Sequence, residues 1–188
     1  MEIYHSQNLR DWELAVRPLD RLSQLNMTGE RASMGVWAPC LSYYEGKYYL
    51  IYSDMKSTGT LYDVNNYLVT AEDICGPWSE PIYMNSSGFD PSLFHDDDGR
   101  KWFVNMYSDF RTWTVRFAGI VLQEYSEKEQ RLIGEPKLIF GGTTARTTEG
   151  PHLYKRNGWY YLFCAEGGTG VRHQETVLRS RTVEGPYE

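Results

Sequence analysis

The 188-residue sequence predicts an all-β fold of repeated four-stranded units, and three observations lead there. Aromatic residues make up 15% of the chain, with 15 Tyr and 6 Trp, and strands favour such side chains. One phrase is written three times, around Pro39, Pro91 and Pro151, which lie 52 and 60 residues apart. No long stretch carries a helical period.

Each copy of the phrase opens on a short apolar segment: "CLSYY", "SLFHD" and "HLYKR". A turn follows in each, at Glu45-Gly46-Lys47, Asp98-Gly99-Arg100 and Asn157-Gly158-Trp159. Asp-Gly and Asn-Gly between apolar runs are hairpin signals, and "HDDDG" (95–99) is expected to form a type I′ turn. An aromatic strand comes next: "YYLIYS", "KWFVNMYS" and "WYYLFCA". A closing signal also recurs, as "CGPWSEP" (75–81), "IGEPKLI" (133–139) and "EGPYE" (184–188), with Gly76, Gly134 and Gly185 spaced by 58 and 51 residues. The polar stretch "SEKEQRL" (126–132) reads as a turn. A unit of about 50–60 residues holding four short strands matches a propeller blade. A two-sheet sandwich is the rival, but it would not repeat its turn chemistry in register.

"YHSQNLRDWELAVRP" (4–18) resembles "VTAEDICGPWSEP" (69–81), the closing part of a unit. The expectation is a single domain over residues 1–188. It starts late in one blade, contains three more and stops at the end of the last. Such an incomplete propeller, truncated at both ends, falls short of the at least four blades a ring needs.

The formal net charge of −6, with both signs scattered, argues against a nucleic-acid partner and an anionic membrane surface. No apolar run is long enough to span a bilayer as a helix. The N-terminus lacks the basic and apolar regions of a secretory signal. Cys40, Cys75 and Cys164 show no CxxC spacing, so reduced thiols and a cytoplasmic location are expected. The four histidines lack metal-ligand spacing. "HDDDG" lacks the alternating ligands of a calcium loop, and "EGGTG" (166–170) lacks the Lys-Ser/Thr of a phosphate loop. No metal or cofactor is expected. Tyr48, Tyr49, Tyr160 and Tyr161 read as sheet-packing residues. His152 can hydrogen-bond near Glu149 or be structural.

Equivalent positions of successive blades are related by rotation, and the opening strand of a blade is normally innermost. Asp90, Glu149 and Trp37 stand just before the three prolines and are therefore expected to converge at one mouth of the central channel. A residue before proline is also commonly extended and exposed, so a single acid there would mean little. Two acids at matched positions beside a Trp suit glycoside hydrolysis. One carboxyl protonates the leaving oxygen, a second activates water or attacks, and an indole packs on a sugar face.

Over nearly its whole length the chain resembles glycoside hydrolase family 43, the five-bladed β-propeller enzymes, and within it the β-xylosidase type. The motifs are "GVWAP", "GFDPSLFHDDDG", "TEGPHLYKRNG", "AEGGTG" and "EGPYE". The resemblance implies an inverting enzyme with Glu149 as general acid and Asp90 as the acid that orients it and raises its pKa. Trp37 would wall the glycone subsite, and Thr169 would approach the sugar. It implies a xylo-oligosaccharide or arabinosyl substrate and leaves homo-oligomer formation by the full-length parent open. An α-L-arabinofuranosidase, a bifunctional enzyme, or a non-catalytic sugar-binding remnant are the alternatives. The family's general base, an Asp in an "NPDPS"-like motif, has no counterpart here, nor do its blade-five His and Arg or its C-terminal β-sandwich. This chain is thus expected to be impaired. Ser108 stands where close relatives often have Trp, which bears on the outer subsite, and loop 57–63 is slightly shorter than in the family.

Overall fold

A computed structural model describes residues 1–59, 62–109, 111 and 116–188; Thr60 and Leu61 of the short 57–63 loop lie outside them. Among the described residues thirteen strands form four antiparallel sheets. β1 (Ile3–His5) and β2 (Glu13–Val16) pair as a two-stranded remnant. The first blade runs β3 (Gly35–Tyr44), β4 (Lys47–Ser57), β5 (Asp63–Ala71) and β6 (Ile82–Asn85) in sequential order. The second runs β7 (Ser92–His95), β8 (Lys101–Tyr107), β9 (Gly119–Ser126) and β10 (Arg131–Phe140). The third has three strands: β11 (Glu149–Arg156), β12 (Trp159–Glu166) and β13 (Gln174–Ser180). This is the incomplete propeller the repeats predict.

Period-two alternation explains how the blades stack. On β4, Leu50 and Tyr52 face the remnant's Ile3, while Tyr49 and Ile51 face Leu93, Phe103 and Tyr125 of the second blade. On β8, Trp102, Val104 and Met106 turn the other way and join Leu153, Leu162 and Cys164 of the third. The core therefore lies between blades. Polar pairs staple the same seams: Tyr49 and Lys47 donate to Glu127, as Lys101 also does. Lys155 and Tyr160 both donate to the buried Asp96, at 2.6 and 2.7 Å. The innermost strands adjoin, with the Ser92 hydroxyl donating to the Pro151 carbonyl at 2.6 Å.

Three local expectations need correction. Glu45-Gly46 and Asn157-Gly158 have positive φ at both residues, as a type I′ turn requires. The 95–99 stretch instead forms a wider loop, closed by Asp96 N–H to the Arg100 carbonyl at 2.9 Å, with only Gly99 left-handed. Asp96 is committed to the neighbouring blade, so the hairpin takes an extra residue. The closing phrases are also not equivalent. "CGPWSEP" is a loop before the outermost strand β6, and "EGPYE" has the matching Gly185-Pro186 loop. "IGEPKLI" lies inside β10, as a bulge between Ile133 and Lys137. Finally, the third sheet does not end on a completed fourth strand; Glu188 only begins the pairing, exchanging two backbone bonds with Arg179. Residues 127–130 form a turn, as the sequence indicates.

One close approach fixes where the second blade's inner strand begins. A Cβ on Gly88 would stand 2.0 Å from the Met106 carbonyl oxygen. Gly88→Ala is expected to cost about 3 kcal/mol, the upper end for overpacking, read as a fall in melting temperature. Gly141→Ala, with nothing within 4 Å of its new methyl, should leave it within error.

Candidate active site

The site begins with a backbone device repeated in all three blades. The residues before the prolines, Ala38, Asp90 and Gly150, have φ of 37°, 54° and 58°. Positive φ is uncommon for residues with a side chain, Asp being among the better tolerated. Each marks a bulge. Trp37 pairs with Ser53 and Cys40 with Ile51; Glu149 pairs with Ala165 and His152 with Phe163. In the second blade Met106 N–H donates to the Phe89 carbonyl while Ser92 pairs with Val104. Two residues thus face one each time. The shared phase is therefore Trp37, Phe89 and Glu149 at one position, and Ala38, Asp90 and Gly150 at the next. The expectation that Asp90 is in phase with Glu149 is corrected: Asp90 stands one residue before its proline and Glu149 two before, and because the three bulges are equivalent the acids are offset by one residue.

That offset brings the two acids together. Gly150, next to Glu149, donates its N–H to Asp90 Oδ2 at 3.1 Å across the blade seam. Both carboxyls are half-buried. Burial pushes Asp90 up to about 6, against the pull of the Gly150 N–H. Glu149 rises to about 7, through burial first and the Asp90 charge second, with His173 opposing. The pair ionises in two steps. Asp90 releases its proton first and its charge then holds the proton on Glu149, which suits a general acid near neutrality.

Aromatic residues gather around Phe89, the neighbour of Asp90 in the chain. Phe89, 4% exposed, is met edge-on by Trp37, Tyr62 and Phe117 at centroid distances of 5.7, 5.3 and 6.0 Å. The Trp37 indole N–H donates to the Ser33 carbonyl at 2.8 Å. Behind Asp90 runs a buried amide chain. Ser53 donates to Asn66, and Asn66 donates to Asn85 and to the Gly88 carbonyl at 2.9 Å. Asn85 donates to Asn105, which donates to Ser87. The start of the Asp90 segment is thereby hydrogen-bonded to both blades.

Other sequence candidates sit further out. Thr169 is exposed in loop 167–173, which folds back through the His173 ring to the Gly168 carbonyl at 2.9 Å. Ser108 is buried, its hydroxyl donating to the Arg116 carbonyl at 2.7 Å. Its hydroxyl is thereby engaged within the chain. His152 is exposed, its ring 6.4 Å from that of Tyr154 in a cleft shared with Phe163 and Glu175. Sequence reasoning missed Phe89, Asn66, His173 and Glu166. Phe89 would have emerged from aligning the position two before each proline. Asn66 and Asn105 stand out as amides inside otherwise apolar strands. Among the described residues no group of three or more His, Cys, Asp or Glu could hold a metal ion, and no helix is long and apolar enough to cross a membrane.

Adjacent propeller blades that present a coupled, partly buried carboxyl pair beside an aromatic wall define a class, the propeller glycoside hydrolases. The family model for "Glycosyl hydrolases family 43" matches residues 1–188, and the chain belongs to that family. It is 59% identical over its full length to a xylosidase/arabinosidase 43B of Humicola insolens, covering 35% of that protein. It is 57% identical to a beta-xylosidase of Bacillus subtilis, covering 36% of it. The crystal structure of a xylan beta-1,4-xylosidase from Bacillus halodurans C-125 superposes with a TM-score of 0.95 at 59% identity, over all of this chain and 36% of that one. The chain thus spans about a third of the length of these relatives.

Proposed function

We propose that this chain carries the acid half of the active site of an inverting glycosidase that releases xylose from β-1,4-xylo-oligosaccharides. The observation that carries the reading is Glu149, raised to about 7 in contact with the Asp90 segment. Glu149 protonates the leaving glycosidic oxygen. Asp90 keeps it protonated until substrate arrives and steadies the strand behind it. Trp37 packs on the sugar, and Thr169 lies on the loop that approaches it. Inversion also needs a base on the opposite face, about 6.5–9.5 Å from the acid. Neither Asp90 nor Glu149 is free for that work, so the base comes from outside residues 1–188. The free Cys40, Cys75 and Cys164 support a cytoplasmic enzyme.

The names of the relatives favour one second reading, a bifunctional enzyme that also removes α-L-arabinofuranosyl units. Paired aryl β-xyloside and aryl α-L-arabinofuranoside assays on the gene product extended to its relatives' length separate the two. The xyloside is expected to be the better substrate, with α-xylose as first product by NMR. Residues 1–188 alone should show at least about a hundred-fold lower turnover, since removing one acid–base group costs 10²–10⁴. Equal turnover by both chains would place the base inside these residues and refute the mechanism.

A further inference from the structure

Glu166, the last residue of β12, is 0% exposed and has no part in the chemistry above. Its carboxylate accepts four hydrogen bonds. Thr143 N–H and Thr148 Oγ1 donate to Oε1 at 2.8 and 2.6 Å; Thr143 Oγ1 and Thr176 Oγ1 donate to Oε2 at 2.7 and 2.6 Å. All four donors come from threonines, and two of these bracket the loop that runs into Glu149. We propose that Glu166 is a positioning residue, an anionic anchor that holds loop 142–148 and through Thr148 sets the place of the Glu149 carboxyl; this rests on Glu149 being the acid.

Three features support the assignment. Arg146 and Thr147 have φ of 63° and 55°. Two successive non-glycine residues in the left-handed region persist only where surrounding contacts over-determine them. The contacts are present: Gly167 N–H donates to the Arg146 carbonyl at 2.8 Å, and Thr148 beside it is 3% exposed. Second, Gly142 admits the close approach. A Cβ there would stand 2.3 Å from Thr148 Oγ1 and 3.4 Å from Glu166 Oε1. Third, a buried anion is costly unless fully hydrogen-bonded. The threonine donors keep Glu166 below the usual carboxylate range despite its burial. With each oxygen accepting two bonds, Glu166 has no free lone pair for a proton or a water, so it is not the missing base.

Positioning of this kind has a steep effect, because a misplacement near 1 Å costs on the order of 100-fold in rate. The test uses the full-length gene product and three readouts: kcat and KM on xylobiose, the basic limb of the pH–rate profile, and the Glu149 titration by carboxyl ¹³C NMR. Thr148→Val keeps the side-chain shape and deletes one donor. It should lower kcat roughly 10- to 100-fold with KM little changed, and move both the basic limb and the Glu149 titration to lower pH. Thr148→Ser should restore all three. Glu166→Met should reproduce the Val variant, and Glu166→Gln, which keeps an acceptor for Thr148, should retain the wild-type limb. Should Glu166→Met not fold, Thr148→Val carries the test alone. Unchanged kcat and titration in Thr148→Val, or failure of Ser to restore them, overturns the proposal. A wild-type Glu149 titrating at an ordinary carboxylate pH, or an inactive wild type, instead overturns the reading of Glu149 as acid.

Discussion

Glu149→Gln in the full-length gene product is expected to lower kcat on xylobiose by about 10²- to 10⁴-fold, the range for loss of a general acid. The leaving oxygen of xylobiose is a poor one and needs the proton. An aryl xyloside with an acidic phenol needs it less and should lose much less. That ratio between substrates, more than the loss itself, identifies the acid. The same variant makes a stability prediction with a definite sign. Below about pH 4.5 the Glu149 carboxyl is protonated in both folded and unfolded chains and contributes no difference. Between there and about 7 the unfolded chain gives up its proton more readily, so ionisation progressively disfavours the folded state. Glu149→Gln should therefore melt higher than wild type at pH 8 and no higher at pH 4. A uniform loss on both substrates, with no pH-dependent gain in stability, would remove Glu149 from the acid role.

Asp90→Asn should move the basic limb of the pH–rate profile to lower pH by about one unit, the lower end of the effect of a close charge. Burial is the larger cause of the Glu149 shift and the Asp90 charge the second, so the limb should stay above the ordinary carboxylate value. Asparagine keeps an oxygen for the Gly150 N–H, so the seam bond at 3.1 Å can persist and kcat below the limb should suffer less than in Glu149→Gln. A limb that stays where it was would leave Asp90 a structural residue.

The blade repeat, two of the three tight turns and the acids worth examining are legible in the order of residues. These depend on local chemistry: strand alternation, Gly at positive φ, and Asp or Glu one or two residues before proline. The three prolines and the aromatic runs after them needed no partner to be recognised. How those pieces register depends on contacts between strands distant in the chain. The bulge at each proline is formed by the ladder to the next strand, not by the phrase itself, and the seam between blades sets Gly150 N–H against Asp90; the one-residue offset between the acids, by contrast, is already written before their prolines. The same holds for burial. Glu166 and Glu149 are both glutamates beside glycine in the sequence. One is ionised because four donors from three threonines on two segments surround it, and the other keeps its proton because of its burial and the Asp90 charge. A carboxyl's pKa depends on what the rest of the chain brings within a few ångströms, and the residues on either side of it do not carry that information.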